Sequence, residues 1–147
     1  MNVDFDPIVK TTNYQKYPKK PGVYIGLNGE KGDKLNIVYV GETKNLRRRL
    51  RRHPDGASIY FSFEVMENDS ESERKKREKE LIERFAPGDN IQHADSVRGW
   101  NEEWVIRYNE DGTRELWKEP DSLAKEGDTG YFKPKKIRDL GKWRRNK

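Results

Sequence analysis

Between Lys44 and Arg52 the chain carries six Lys/Arg and no acid. A solvated helix usually mixes its charges, and neither helix stability nor packing asks for such a run. The stretch therefore reads as built to meet an anion. Arg49 and His53 stand four residues apart, and Leu46 and Leu50 share that spacing. On a helix this makes a polar stripe beside an apolar one, holding one arginine near the core edge while Arg47, Arg48, Arg51 and Arg52 fan outward. A fixed guanidinium of that kind can engage phosphoryl oxygens bidentately and stabilise the charge that builds on them. Farther along, Glu78 falls three, four and seven residues before Leu81, Ile82 and Phe85. A carboxylate on the packing side of a helix is unusual, because burying it unpaired is costly.

Positioning these groups requires a strand, a turn and two helices. Ile37-Val38-Tyr39-Val40 reads as a strand that turns at Gly41, with Thr43 capping a helix from about Lys44 to Arg52 and Pro54 forbidding much extension. Upstream, Gly22-Val23-Tyr24-Ile25-Gly26 is a short β-rich run, and Asn28-Gly29 and Gly32-Asp33 mark turns. Residues 22–41 thus predict a hairpin with a longish loop, in which Tyr24 and Tyr39 share a face if the register suits. Ile59 to Val65 alternates strictly, with every odd position apolar, and predicts a strand with one buried face. Ser70-x-x-Glu73 is a capping box opening a helix to Phe85, and Pro87-Gly88-Asp89-Asn90 ends it.

Beyond Asn90, residues 104–117 form a hairpin signal around Asn109-Glu110-Asp111-Gly112. Residues 118–130 read as a polar linker. The tail, 133–147, holds eight Lys/Arg against the single acid Asp139, with Trp143 interleaved, and resembles an electrostatic arm for nucleic acid. Its candidate contacts are Lys135, Lys136, Arg144 and Arg145, to be added to Lys44, Arg47, Arg48, Arg51 and Arg52 on the first helix.

Composition narrows the classes. The 147 residues suit one domain, and a hydrophobic fraction of 31% against 39% charged is offset by four Trp, seven Tyr and five Phe. The absence of cysteine excludes disulfide frameworks and Cys-built zinc sites, and two histidines are too few for a His-built one without carboxylates. A net charge of +5 points toward polyanions. No apolar run approaches the ~20 residues of a membrane span, and the first residues lack the regions of a signal peptide. A cytoplasmic protein without membrane contact is the expectation.

Taken together, Gly22-Val23-Tyr24, Tyr39-Val40-Gly41, Asn45-Leu46 with Arg49-Leu50, His53, Glu78-Lys79-Glu80-Leu81-Ile82, Pro87 and Asn90 resemble the GIY-YIG nuclease superfamily over roughly residues 20–91. The resemblance implies an α/β (α+β) fold: a small three-stranded antiparallel sheet flanked by helices. The chain then divides into an irregular lead-in at 1–21, the nuclease-like core at 22–91, and an extension at 92–147 with the hairpin and the basic tail. It also implies phosphodiester hydrolysis, with DNA ahead of RNA as substrate, and one divalent metal, magnesium or another such as manganese. Carried over by residue, Glu78 would hold the metal, Arg49 would neutralise the scissile phosphate, Tyr24 and Tyr39 would line the water-activating side with His53 assisting, and Asn90 would fix the local architecture. Whether Tyr24 or His53 accepts the proton stays open. Glu42 departs from the pattern, standing where many relatives carry a cation, and shifts weight from Tyr24 to His53. The alternative is a non-catalytic nucleic-acid-binding module that keeps the fold. With no separate sequence-reading domain in view, specificity would come from residues 91–147, a homodimer or partner protein, or substrate shape.

Overall fold

A computed structural model describes residues 5, 7–30, 32–51, 60–67, 70–85, 102–120, 127 and 131–142. In chain order the elements are strand β1 (Ile8–Lys10), a 3-10 helix (Thr11–Lys16), β2 (Gly22–Glu30), β3 (Lys34–Thr43), helix α1 (Leu46–Arg51), β4 (Tyr60–Val65), helix α2 (Glu71–Phe85), β5 (Glu102–Tyr108), β6 (Thr113–Pro120) and β7 (Lys135–Lys142). The strands form one antiparallel sheet in the order β1-β4-β2-β3-β5-β6-β7.

This corrects the expected fold: among the described residues the sheet has seven strands instead of three, and strands predominate over helices. The anticipated strands are present as β4-β2-β3, but neither edge stops there. Leu35 of β3 pairs with Ile106 of β5, and both are fully buried with Leu116 of β6, so the hairpin extends the core of the first three strands. Glu119 of β6 reinforces the join. It is buried, lies 2.7 Å from Lys34 Nζ of β3, and accepts from the Arg107 guanidinium of β5, which stacks 4.0 Å from the Trp117 ring. At the other edge the lead-in supplies β1, whose Val9 and Ile8 pair with Phe61 and Ser62.

Three local expectations change as well. The 27–36 connection is mostly strand, because Leu27 and Leu35 both have a core to enter. Its closure is tight at Gly29, where φ is +132° and an added Cβ would lie 2.3 Å from the Lys34 carbonyl oxygen. Strand β4 is covered on both sides: Ser62 is as buried as Phe61, while Val65 is exposed. Over 135–142 the tail is a strand paired with β6, anchored where the buried Arg114 guanidinium donates to the carbonyls of Leu140 (3.1 Å) and Phe5 (2.7 Å).

The sheet has two dissimilar faces. One is aliphatic: Val23, Ile25, Leu27, Leu35, Ile37 and Val40 pack against Leu81, Ile82 and Phe85 of α2. The other is aromatic: Tyr24 and Phe61 pack with Tyr17, Leu46 and Leu50, so α1 and the lead-in cover this side. Gly22 lies under α1, where a Cβ would fall 2.2 Å from the Glu64 carbonyl oxygen and 3.0 Å from a Leu46 methyl. Gly22→Ala should therefore destabilise the chain by about 1–3 kcal/mol through overpacking. Urea unfolding checks this, and an unchanged midpoint would contradict the close approach.

Candidate active site

Helix α1 has six residues, too few to persist alone. Its first N–H groups are satisfied from outside. Leu46 N–H donates to the Lys20 carbonyl at 2.9 Å, Arg47 N–H to the Pro18 carbonyl at 3.0 Å, and Arg48 N–H to the Asn45 side-chain oxygen at 3.1 Å. Asn45 is thus the cap expected of Thr43; the threonine hydroxyl instead accepts from Asn45 N–H at 3.1 Å, one step earlier. Leu46 and Leu50 are buried as anticipated.

The cation run divides three ways. Arg47 turns back onto the lead-in, its side chain donating to the carbonyls of Tyr17 (2.7 Å) and Gln15 (2.8 Å). Arg51, one turn on, lies over the Tyr14 ring at 5.6 Å. Both therefore have structural partners in place of the outward fan. Arg49 points to the sheet and donates from Nε to the Tyr24 hydroxyl at 3.1 Å. Lys44 and Arg48 are exposed and, with Thr43, Asn45 and Arg49, line an open pocket of about 420 Å³.

Tyr24 and Tyr39 do share a face, with ring centroids 6.0 Å apart, and the two phenols interact with the Arg49 guanidinium as one cluster. The β2–β3 register sets this by pairing Tyr24 with Gly41 and Tyr39 with Gly26. Gly41 has a steric reason: a Cβ there would lie 2.4 Å from the Tyr24 hydroxyl oxygen. Burial pushes the Tyr24 phenol well above the ordinary range; Tyr39 adds to the rise, and Arg49 opposes it without prevailing. Burial would lower the Arg49 value, but the phenols outweigh it and the net shift is upward. The cluster is a protonated phenol beside a permanent cation.

Glu78 stands half-buried on α2, the helix on the aliphatic face. Arg74, Glu78, Leu81, Ile82 and Phe85 follow at three- and four-residue steps, which places Glu78 within the sheet-facing stripe. The beginning of α2 lies within electrostatic reach of the pocket's rim. Lys75 chiefly, with Lys44 and Arg74 adding, holds the Glu71 carboxyl below its usual range. The structure thus joins Tyr24, Tyr39 and Arg49 directly on the aromatic face, while Glu78 stands on the helix that packs against the aliphatic one. His53, Asn90, Arg52, Arg144 and Arg145 lie outside the described residues. Lys135 is exposed on β7, and Lys136 pairs with Asp139 at 3.2 Å and Glu115 at 3.6 Å.

Two buried cations of α2 escaped the sequence reading. Arg74 Nε donates to Glu42 at 3.1 Å, and Arg77 donates to both carboxylate oxygens of Glu64 at 3.2 and 3.4 Å. The available signal was their four-residue spacing, Arg74 to Glu78 and Arg77 to Leu81, on an otherwise unpacked stretch of helix. Among the described residues no group of three or more His, Cys, Asp or Glu is placed to hold a metal. No helix there is long and apolar enough to cross a membrane.

The sequence has relatives among known proteins. The chain is similar to UvrABC system protein C of Mycoplasmopsis agalactiae, 38% identical over 81 residues, covering 48% of this chain and 14% of that protein. It is 37% identical over 91 residues to the protein of the same name from Syntrophotalea carbinolica, covering 54% and 14%. With that of Caldanaerobacter subterraneus it shares 34% over 85 residues, covering 50% and 13%. The similarity therefore spans about half of this chain and a small part of each much longer relative. No family model matches. No solved structure matches either.

Tyr17 and Tyr24 are both held by burial above the ordinary phenol value of 10.0. The folded chain keeps protons that the unfolded chain releases, so this contribution to stability is whole below about pH 10 and lost as pH rises beyond it. Urea midpoints should fall above about pH 10, and less steeply in Tyr24→Phe. A variant that fell as steeply as the parent would contradict the buried, protonated phenol.

Proposed function

We propose that the chain is a nuclease domain hydrolysing phosphodiester bonds in DNA with one divalent cation, magnesium or manganese, and that it is of the GIY-YIG type. The observation that carries this reading is the Tyr24–Arg49 hydrogen bond beside a cation-lined pocket. The part-length similarity to UvrABC system protein C supports a nuclease acting on DNA.

Arg49 is held by Tyr24 at the pocket wall, so a phosphate entering between Lys44 and Arg48 meets a guanidinium already in place. Such preorganised charge stabilises the oxygens as they become more negative. Tyr24, protonated and buried, orients Arg49 and is poorly suited to remove a proton. On this reading the general base is another group, with His53 the candidate from the sequence. Tyr39 lies beside Tyr24 with its ring tilted and completes the cluster.

The donor set on α2 fits a hard dication that keeps most of its waters. Glu78 offers one half-buried carboxylate, and the substrate phosphate supplies further oxygen. When bound, the cation supplies Lewis-acid charge at the leaving and attacking oxygens. Lys44, Arg48 and Lys135 contribute salt-sensitive contacts to the backbone, with Arg52, Arg144 and Arg145 the further candidates from the sequence.

A cleavage assay with magnesium on duplex, single-stranded and branched DNA, with RNA in parallel, tests the reading. Glu78→Ala should abolish cutting while sparing binding, and Arg49→Ala should lower the rate by a factor on the order of 10²–10³. Cutting that survived chelation and Glu78→Ala would remove the assigned roles. Salt-sensitive binding without turnover under any divalent metal would favour the non-catalytic module instead.

A further inference from the structure

The first ten residues of α2, Glu71 to Glu80, contain no apolar side chain. Hydrophobic docking begins only at Leu81, with Ile82 and Phe85. Within the polar stretch the buried residues are Arg74 and Arg77, and each reaches a carboxylate on the sheet. Those carboxylates are in one row: Val23 of β2 pairs with Glu42 of β3 on one side and Glu64 of β4 on the other. Three adjacent strands thus present acid, valine and acid to the helix, and two arginines three residues apart span the row. Arg74–Glu42 is the more enclosed pair, with side chains 6% and 16% exposed; the Glu64 side chain is 43% exposed, which weakens the second. Arg77 also reaches Glu80 at 3.6 Å.

From this we infer that the two ion pairs are positioning contacts that fix where Glu78 stands. Glu78 follows Arg77 directly and Arg74 by one turn, in the part of α2 that lacks apolar anchors. Glu42 takes its place in this account: the acid after Gly41 is matched by a cation delivered from the helix. The inference rests on the reading of Glu78 as the carboxylate that holds the cation. Partners that orient a ligating carboxylate typically change metal affinity 10–100-fold when removed.

The test uses the full chain and two independent readouts. Hydrogen exchange of residues 71–80 in metal-free protein reads the clamp, and Mn2+ titration followed by electron paramagnetic resonance reads Glu78. Glu42→Gln with Glu64→Gln should speed exchange over 71–80 by about tenfold or more and weaken Mn2+ about 10–100-fold, with β2 and β3 protection retained. That double variant takes the sheet carboxylates from two buried arginines, so the swap Glu42→Arg with Arg74→Glu is measured beside it to separate the clamp from a loss of folding, and it should restore both readouts toward the parent. Unchanged exchange in the double variant, or faster exchange with unchanged Mn2+ affinity, overturns the positioning role. If Glu78→Gln binds Mn2+ as the parent does, the metal role of Glu78 fails, while the exchange data still judge the clamp separately.

Discussion

A helix of six residues cannot hold an arginine in a fixed place by its own hydrogen bonds, and the rest of the site depends on how this chain solves that problem. The carbonyls of Pro18 and Lys20 and the side chain of Asn45 receive the N–H groups that α1 leaves open. Arg47 secures the same segment from the other direction by reaching Gln15 and Tyr17. Tyr17 is itself buried and donates to the Val9 carbonyl at 2.8 Å, which links the lead-in to β1 and so to the sheet. Arg49 inherits its position from this chain of contacts and ends on Tyr24. The lead-in is thus part of what aims the guanidinium.

The charge density of the sequence is used inside the fold as well as on its surface. Arg74, Arg77, Arg114 and Glu119 are buried, and each has a partner on another element. Buried ion pairs add little net stability compared with apolar packing, but they tolerate few alternative geometries. This explains how a chain with 31% hydrophobic residues builds a seven-stranded sheet: aliphatic and aromatic side chains fill the two faces, and charged pairs fix the joins. The Lys34–Glu119–Arg107 group at the β3–β5–β6 junction and the Glu42–Arg74 pair at the start of α2 follow one pattern.

Much of the site was legible because its signals are local. The Gly22, Tyr24, Tyr39 and Gly41 spacing specified a hairpin, Ser70 and Glu73 marked the start of α2, and Leu46 with Leu50 showed which side of α1 is buried. What escaped depends on contacts between distant segments. Nothing near Leu35 announces that Ile106 will pair with it, so the sheet was read as three strands. The cap fell on Asn45 because Leu46 N–H already had a partner at Lys20, a contact across twenty-six positions. The partners of Arg74 and Arg77 are likewise remote, because their acids, Glu42 and Glu64, lie on two other strands.

The proposed function requires that one phosphodiester reach both the Arg49 guanidinium and the Glu78 carboxylate, which stand on helices packed on the two faces of the sheet. A crystal structure of Glu78→Gln with a short DNA duplex and magnesium tests it most directly. The account predicts a backbone phosphate in the pocket of Lys44, Arg48 and Arg49, hydrogen-bonded to Arg49, with residue 78 facing the same phosphate. DNA seated on β7, or residue 78 turned away from a phosphate held by Arg49, would contradict it.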